Sequence, residues 1–171
     1  MNIDLGDPLR WRETLPARQP MSSEVAAGAV SGVAGGLVAW GLAVLLLPGG
    51  TEGFRPLRLV AATLWGSSAL ATGNVALPAF VGGLLAGFAS ILYGLVFVSI
   101  LRPASPLGRS IGVGAIYGAV LYLPAWHGLV HVLDPLLYEA AQGRGSTILV
   151  LHVLYGATMG FLVPFLRKIL P

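Results

Sequence analysis

Three histidines, His127, His131 and His152, are the side chains of this 171-residue chain whose type and spacing could do chemistry in an apolar setting. His127 and His131 stand four residues apart, so they share one helix face if the helix resumes after Pro124. At about 1.5 Å rise per residue, His127 falls roughly 24 Å from one end of its apolar segment. His152 falls roughly 22 Å from the same side of the next, antiparallel segment. Two imidazoles at matching depth on adjacent helices could hold a haem axially, and two or three could hold Zn or Cu. The commoner use of such a ring is a hydrogen bond across a helix interface. An unpaired polar group in hydrocarbon costs several kcal/mol, and each ring has partners at hand in the other, in Tyr122, in Thr158 or in a carbonyl freed by Pro124. Asp134, three residues after His131, is placed to hydrogen-bond it. The expectation is a colourless, metal-free protein with no resident cofactor; haem b on His127 and His152 is the alternative.

The rest of the chain offers little to an enzyme, and none is expected. No Asp, Glu, Lys or Arg falls between Glu24 and Glu52, Arg58 and Arg102, Arg109 and Asp134, or Arg144 and Arg167. Ion-coupled carriers usually need an ionisable group at depth, so a proton-coupled exporter is disfavoured. Ser31-Gly32 is not a G-x-S-x-G elbow, and no Gly-rich phosphate loop follows a strand pattern. With no cysteine there is no disulfide, thiolate metal site or redox dithiol.

Those uncharged gaps also locate the elements that must position the histidines. The chain is 56% hydrophobic and 10% charged, with 24 Gly and 12 Pro and a mean hydropathy of +0.81. Soluble domains carry about 25% charged residues, so there is too little charge here to coat a water-facing surface. This excludes an ordinary soluble enzyme and a nucleic-acid binder, and makes the lipid bilayer the first partner. Crossing a core about 30 Å thick takes roughly 20 apolar residues. The gaps predict an all-α transmembrane bundle over 25–168, with spans at 25–47, 78–101, 111–133 and 147–166. Pro124 should kink or unwind the third. A short apolar segment at 57–72, carrying Thr63, Ser67, Ser68 and Thr72, is expected not to span.

Basic residues orient that layout. With both termini cytoplasmic, seven Lys or Arg lie inside (Arg10, Arg12, Arg18, Arg102, Arg109, Arg167, Lys168) and three outside (Arg55, Arg58, Arg144). A spanning 57–72 segment reduces the asymmetry to six against four. The expected address is therefore a bacterial cytoplasmic membrane, multi-pass, with both ends inside. The tail at 1–24 is polar, broken by Pro8, Pro16 and Pro20, and has no apolar core ahead of a cleavage site, so it does not read as a signal peptide.

Small residues at four-residue spacing supply the packing signal. Gly28, Gly32 and Gly36 form a ridge on the first span. Gly83 with Gly87, Gly114 with Gly118, and Gly156 with Gly160 do the same on the others. Glycine at this spacing lets two backbones approach closely, which drives helix association where lipid removes the hydrophobic incentive. The ridges either pack the bundle internally or, for the first helix, face another subunit or a second copy.

In its order of features the chain resembles a group of uncharacterised bacterial integral membrane proteins classed as a domain of unknown function. That group has a Gly-rich first helix, a short non-spanning piece, a Gly-rich second span, a Pro-interrupted third span and a last helix with an H-x-x-Y-G-x-x-x-G pattern. Here the pattern reads His152-Val153-Leu154-Tyr155-Gly156-Ala157-Thr158-Met159-Gly160, and the likeness covers about residues 24 to 168. Similar proteins often carry a His before the Gly of the second span, where this chain has Ser90, three residues before Tyr93. The resemblance implies four helices and brings no activity. Together these readings give a non-catalytic accessory or scaffold subunit of a larger membrane complex, such as a respiratory one. A histidine-based haem or metal protein, or a small passive transporter or pore, is the alternative.

Overall fold

A computed structural model describes residues 21–170, apart from 48, 50, 51, 53, 72, 103 and 104; the expected tail lies, up to residue 20, outside the described residues. The described residues are helical, with no strand among them. Four helices among them are long and apolar enough to cross a membrane. They are α1 (Met21–Leu46), α3 (Ala76–Ile100), a third span beginning as α4 (Leu107–Tyr122), and α7 (Gly145–Ile169). The chain is a multi-pass integral membrane protein. Continuous apolar runs of this length satisfy their backbone groups as helices, since the bilayer core offers no water to unpaired ones.

The shorter elements collect at one end of the bundle. Helix α2 (Arg55–Trp65) runs into a 3-10 turn, Gly66–Leu70. Its eleven residues reach only about 16 Å, half of what a span needs. Arg58, nearly buried, closes the piece: its Nε donates to the Ala69 carbonyl at 3.1 Å and its Nη2 to that of Ala71 at 2.9 Å. A Cβ at Gly82 of α3 would overlap the Leu57 carbonyl, so only glycine lets α2 dock there.

Pro124 acts on the third span as its chemistry requires. It has no N–H to donate and its ring crowds the preceding turn. From Leu123 to Val130 the helix widens into π-helical turns before a last α-helical turn, α5 (His131–Leu133). The span is thus unwound locally and still crosses, through Leu133. Asp134 then ends it and caps α6 (Pro135–Ala140), accepting from the Leu137 N–H at 3.1 Å.

Glycine decides which helices touch. A Cβ on Gly28, Gly32 or Gly36 would collide with Ser90, Gly94 or Val98 of α3. One on Gly114 or Gly118 would collide with the backbone of His152, Gly156 or Gly160 on α7, and Gly156 and Gly160 meet α4 in return. The bundle is therefore two close-packed pairs, α1 with α3 and α4 with α7. They join where Gly35 meets the ring of Tyr155. The Tyr155 hydroxyl continues across to donate to the Ser90 carbonyl at 2.8 Å.

The ridge expected at Gly83 and Gly87 makes no close helix contact within the described bundle. Gly83 has only the tip of Leu57 at 4.0 Å and Gly87 has nothing within 4 Å. The close-packed stripe of α3 runs one position round the helix, through Gly82, Ala86, Ser90 and Gly94, with Ala86 and Ser90 buried.

Helices α3 and α4 end the resulting row α3–α1–α7–α4, and their backbones barely approach each other. Tyrosine spans the gap: the Tyr117 hydroxyl donates to the Tyr93 carbonyl at 2.8 Å, and its ring lies 5.3 Å from that of Phe97.

Candidate functional site

Near the short helices the gap between α3 and α4 widens into a cavity of about 290 Å³. All four spans contribute, α1 through Trp40, α3 through Ser90 and Tyr93, the third span through Trp126 and Leu129, and α7 through His152. Thr63 and Asp134 line it as well. Apart from Gly36 and the ring of Tyr155, the remaining walls are aliphatic, which suits a space inside a bilayer.

His152 is the sequence-predicted residue that faces this space. Its Nδ1 lies 2.9 Å from the Ile148 carbonyl of its own helix. A carbonyl only accepts, so Nδ1 carries the proton and Nε2 is left as an acceptor. The partner is a carbonyl one turn back, not His127, Thr158 or a group freed by Pro124. Thr158 donates to the Leu154 carbonyl at 2.8 Å instead.

His127 and His131 stand apart from the cavity and are exposed. They belong to an aromatic cluster at the end of the third span. The ring of Tyr122 meets His127 at 5.3 Å and His152 at 5.6 Å, edge-on to both. Tyr138 meets His131 at 4.5 Å and His127 at 6.5 Å, and lies 5.6 Å from Trp126. His127 and His152 thus share Tyr122 as a neighbour. Among the described residues no three His, Asp or Glu side chains gather around one point.

Asp134 does not reach His131. Its Oδ2 accepts from the Thr63 hydroxyl at 3.0 Å while Oδ1 caps α6, so one carboxylate ties α2 to the start of α6 at the rim of the cavity. Asp134 is 5% exposed. Burial pushes its carboxyl above the usual carboxylate range, against the Leu137 N–H and the Thr63 hydroxyl, which favour the charged form.

The opposite end of the bundle holds an ion pair that the charge-gap reading missed. Arg167 was expected to mark a loop after a span ending at residue 166; helix α7 runs on to Ile169 and turns Arg167 inward to 6% exposure. Its Nη2 donates to Glu24 Oε2 at 2.7 Å and to the carbonyls of Leu101 at 3.0 Å and Val98 at 3.2 Å. Nη1 reaches the Arg102 carbonyl at 3.3 Å. One guanidinium thereby fastens α1, α3 and α7 together.

Compared with protein-family models, with curated proteins and with solved structures, the chain matches none.

Proposed function

We propose that the chain is a non-catalytic integral membrane protein of a bacterial cytoplasmic membrane. It serves there as an accessory or scaffold subunit of a larger complex, such as a respiratory one, with both termini cytoplasmic. One observation carries the reading: among the described residues, the buried Asp and Arg side chains are tied to fixed partners. Arg167 holds Glu24, Arg58 holds two carbonyls, and Asp134 holds Thr63 and the end of α6. A coupled carrier needs a group at depth that exchanges its ion during the cycle. These bonds instead brace helices against one another.

The glycine ridges do not supply the docking face, since those of α1, α4 and α7 are covered within the bundle. All four spans expose apolar side chains to the bilayer, the first through Leu37, the second through Phe88, the last through Phe161 and the third through Ile116 and Val120. Cysteine at Ile116 is the position to test in native membranes with a short bifunctional maleimide. The reading expects one adduct of fixed mass with a different membrane protein. Only uncrosslinked chain, under conditions where the cysteine reacts with a monofunctional maleimide, would contradict it.

A further inference from the structure

We propose that the cavity between α3 and α4 is a binding site for a lipid-soluble ring compound bearing hydroxyl or carbonyl oxygens, the chemistry of a quinol or quinone. The inference goes beyond the subunit reading and stands or falls separately from it. Size is the first argument. At about 290 Å³ the space is nearly twice an apolar cavity of roughly 150 Å³ that takes a benzene ring. It lies at the small end of ligand pockets, near the usual lower bound of about 300 Å³. That is room for one substituted ring with its tail outside.

Access is the second argument. Leu129 and Leu133 line the cavity and are themselves 50% and 58% exposed, so its third-span wall merges with the lipid-facing surface of the bundle. The Tyr117–Tyr93 bond and the ring of Phe97 close the gap between α3 and α4 further along the helices. A hydrophobic molecule enters sideways from the bilayer and meets a floor.

Polar complementarity selects the ligand class. His152 Nε2 is an acceptor, because Nδ1 is committed to Ile148. The Tyr93 hydroxyl and the indole N–H groups of Trp40 and Trp126 are donors, and none of the four groups has a hydrogen bond to another described residue. No side-chain polar atom sealed in the packing lacks a partner, so these four atoms remain accessible, on residues that line the cavity. At membrane depth such groups need partners. A hydroxylated ring donates to His152 Nε2 through one oxygen and accepts from an indole or the phenol through another. An acyl chain would leave all four unpaired. A cation finds a single carboxylate, Asp134, with both oxygens already in bonds.

The test uses the full chain in lipid nanodiscs, with a decyl-tailed benzoquinol as probe and empty discs as the partition control. The proposal expects saturable binding of one quinol per chain above the control. Tyr93→Phe and His152→Leu should each weaken it about five- to tenfold, the scale of one hydrogen bond, and Ala89→Phe should abolish it by filling the space. Decylbenzene, with the same tail and no oxygen, should not displace the quinol at tenfold excess. Absence of saturable binding overturns the proposal. So does equal displacement by decylbenzene, which would make the space a general apolar hole. If His152→Leu does not fold, Tyr93→Phe decides: full affinity in that variant counts against the site.

Discussion

Asp134 carries a desolvation cost and a structural bond at once, and the two separate with pH. Its folded-state pKa is raised because it is buried. Its contribution to stability is therefore full below the unfolded carboxylate value, about 3.9, and is lost as pH rises through the folded value. Asp134→Asn keeps an acceptor for the Leu137 N–H and a donor for Thr63 without the charge. We expect thermal unfolding in detergent to show the variant at least as stable as the parent at pH 7, with the advantage gone at pH 4. Asp134→Ala, which removes the cap, should lose about 1 kcal/mol at both. An Asp134→Asn variant less stable at pH 7 than at pH 4, relative to the parent, would contradict the assignment. The sequence paired Asp134 with His131 by proximity along the chain. Its real partner, Thr63, is 71 residues away and brought there by the docking of α2 on α3, which no local spacing reveals. Arg167 was more nearly legible. Glu24 and Arg167 open the first apolar gap and close the last, so antiparallel helices set opposite charges at one depth. Counting Arg167 only as a topology marker hid the pair.

Among the elements, the four spans were readable because uncharged runs of this length have few other uses. Their ends moved outward by a few residues where terminal turns carry polar groups, to 21, 145 and 169 for example. The phase of the α3 stripe was not readable. Gly82, Gly83 and Gly87 offer two registers at four-residue spacing, and the choice was made by Ala86 and Ser90, small residues outside a glycine-only pattern. The two registers give opposite expectations for one substitution. Gly32→Leu, set against the Ser90 carbonyl, should cost on the order of 1–3 kcal/mol through overpacking. Gly87→Leu, with nothing within 4 Å, should be neutral or stabilising by up to about 1 kcal/mol because leucine is the better helix former. Denaturant titration of the two variants in the same micelle checks this. Equal costs would mean that the close-packed face of α3 is wrongly placed.

For the whole molecule, the row α3–α1–α7–α4 explains why the candidate site lies where it does. Two glycine-packed pairs meet along one seam, and the unpaired edges of α3 and α4 leave a space that aromatic residues only partly fill. The sequence indicated a histidine at this depth, and His152 is on the cavity wall. It did not indicate the cavity itself, because Trp40, Tyr93 and Trp126 reach it from three different spans. The same architecture puts both described ends of the bundle, Met21 and Ile169, on one side and the short helices on the other. The central proposal is an orientation for the four spans, with the short helices outside and the termini in the cytoplasm. Single cysteines at Arg55, Arg144 and Ser105, probed on intact cells with a membrane-impermeant maleimide, test it most directly. The account predicts labelling at the first two positions and protection at Ser105 until the cells are opened. Labelling of Ser105 on intact cells, with Arg144 protected, would contradict it.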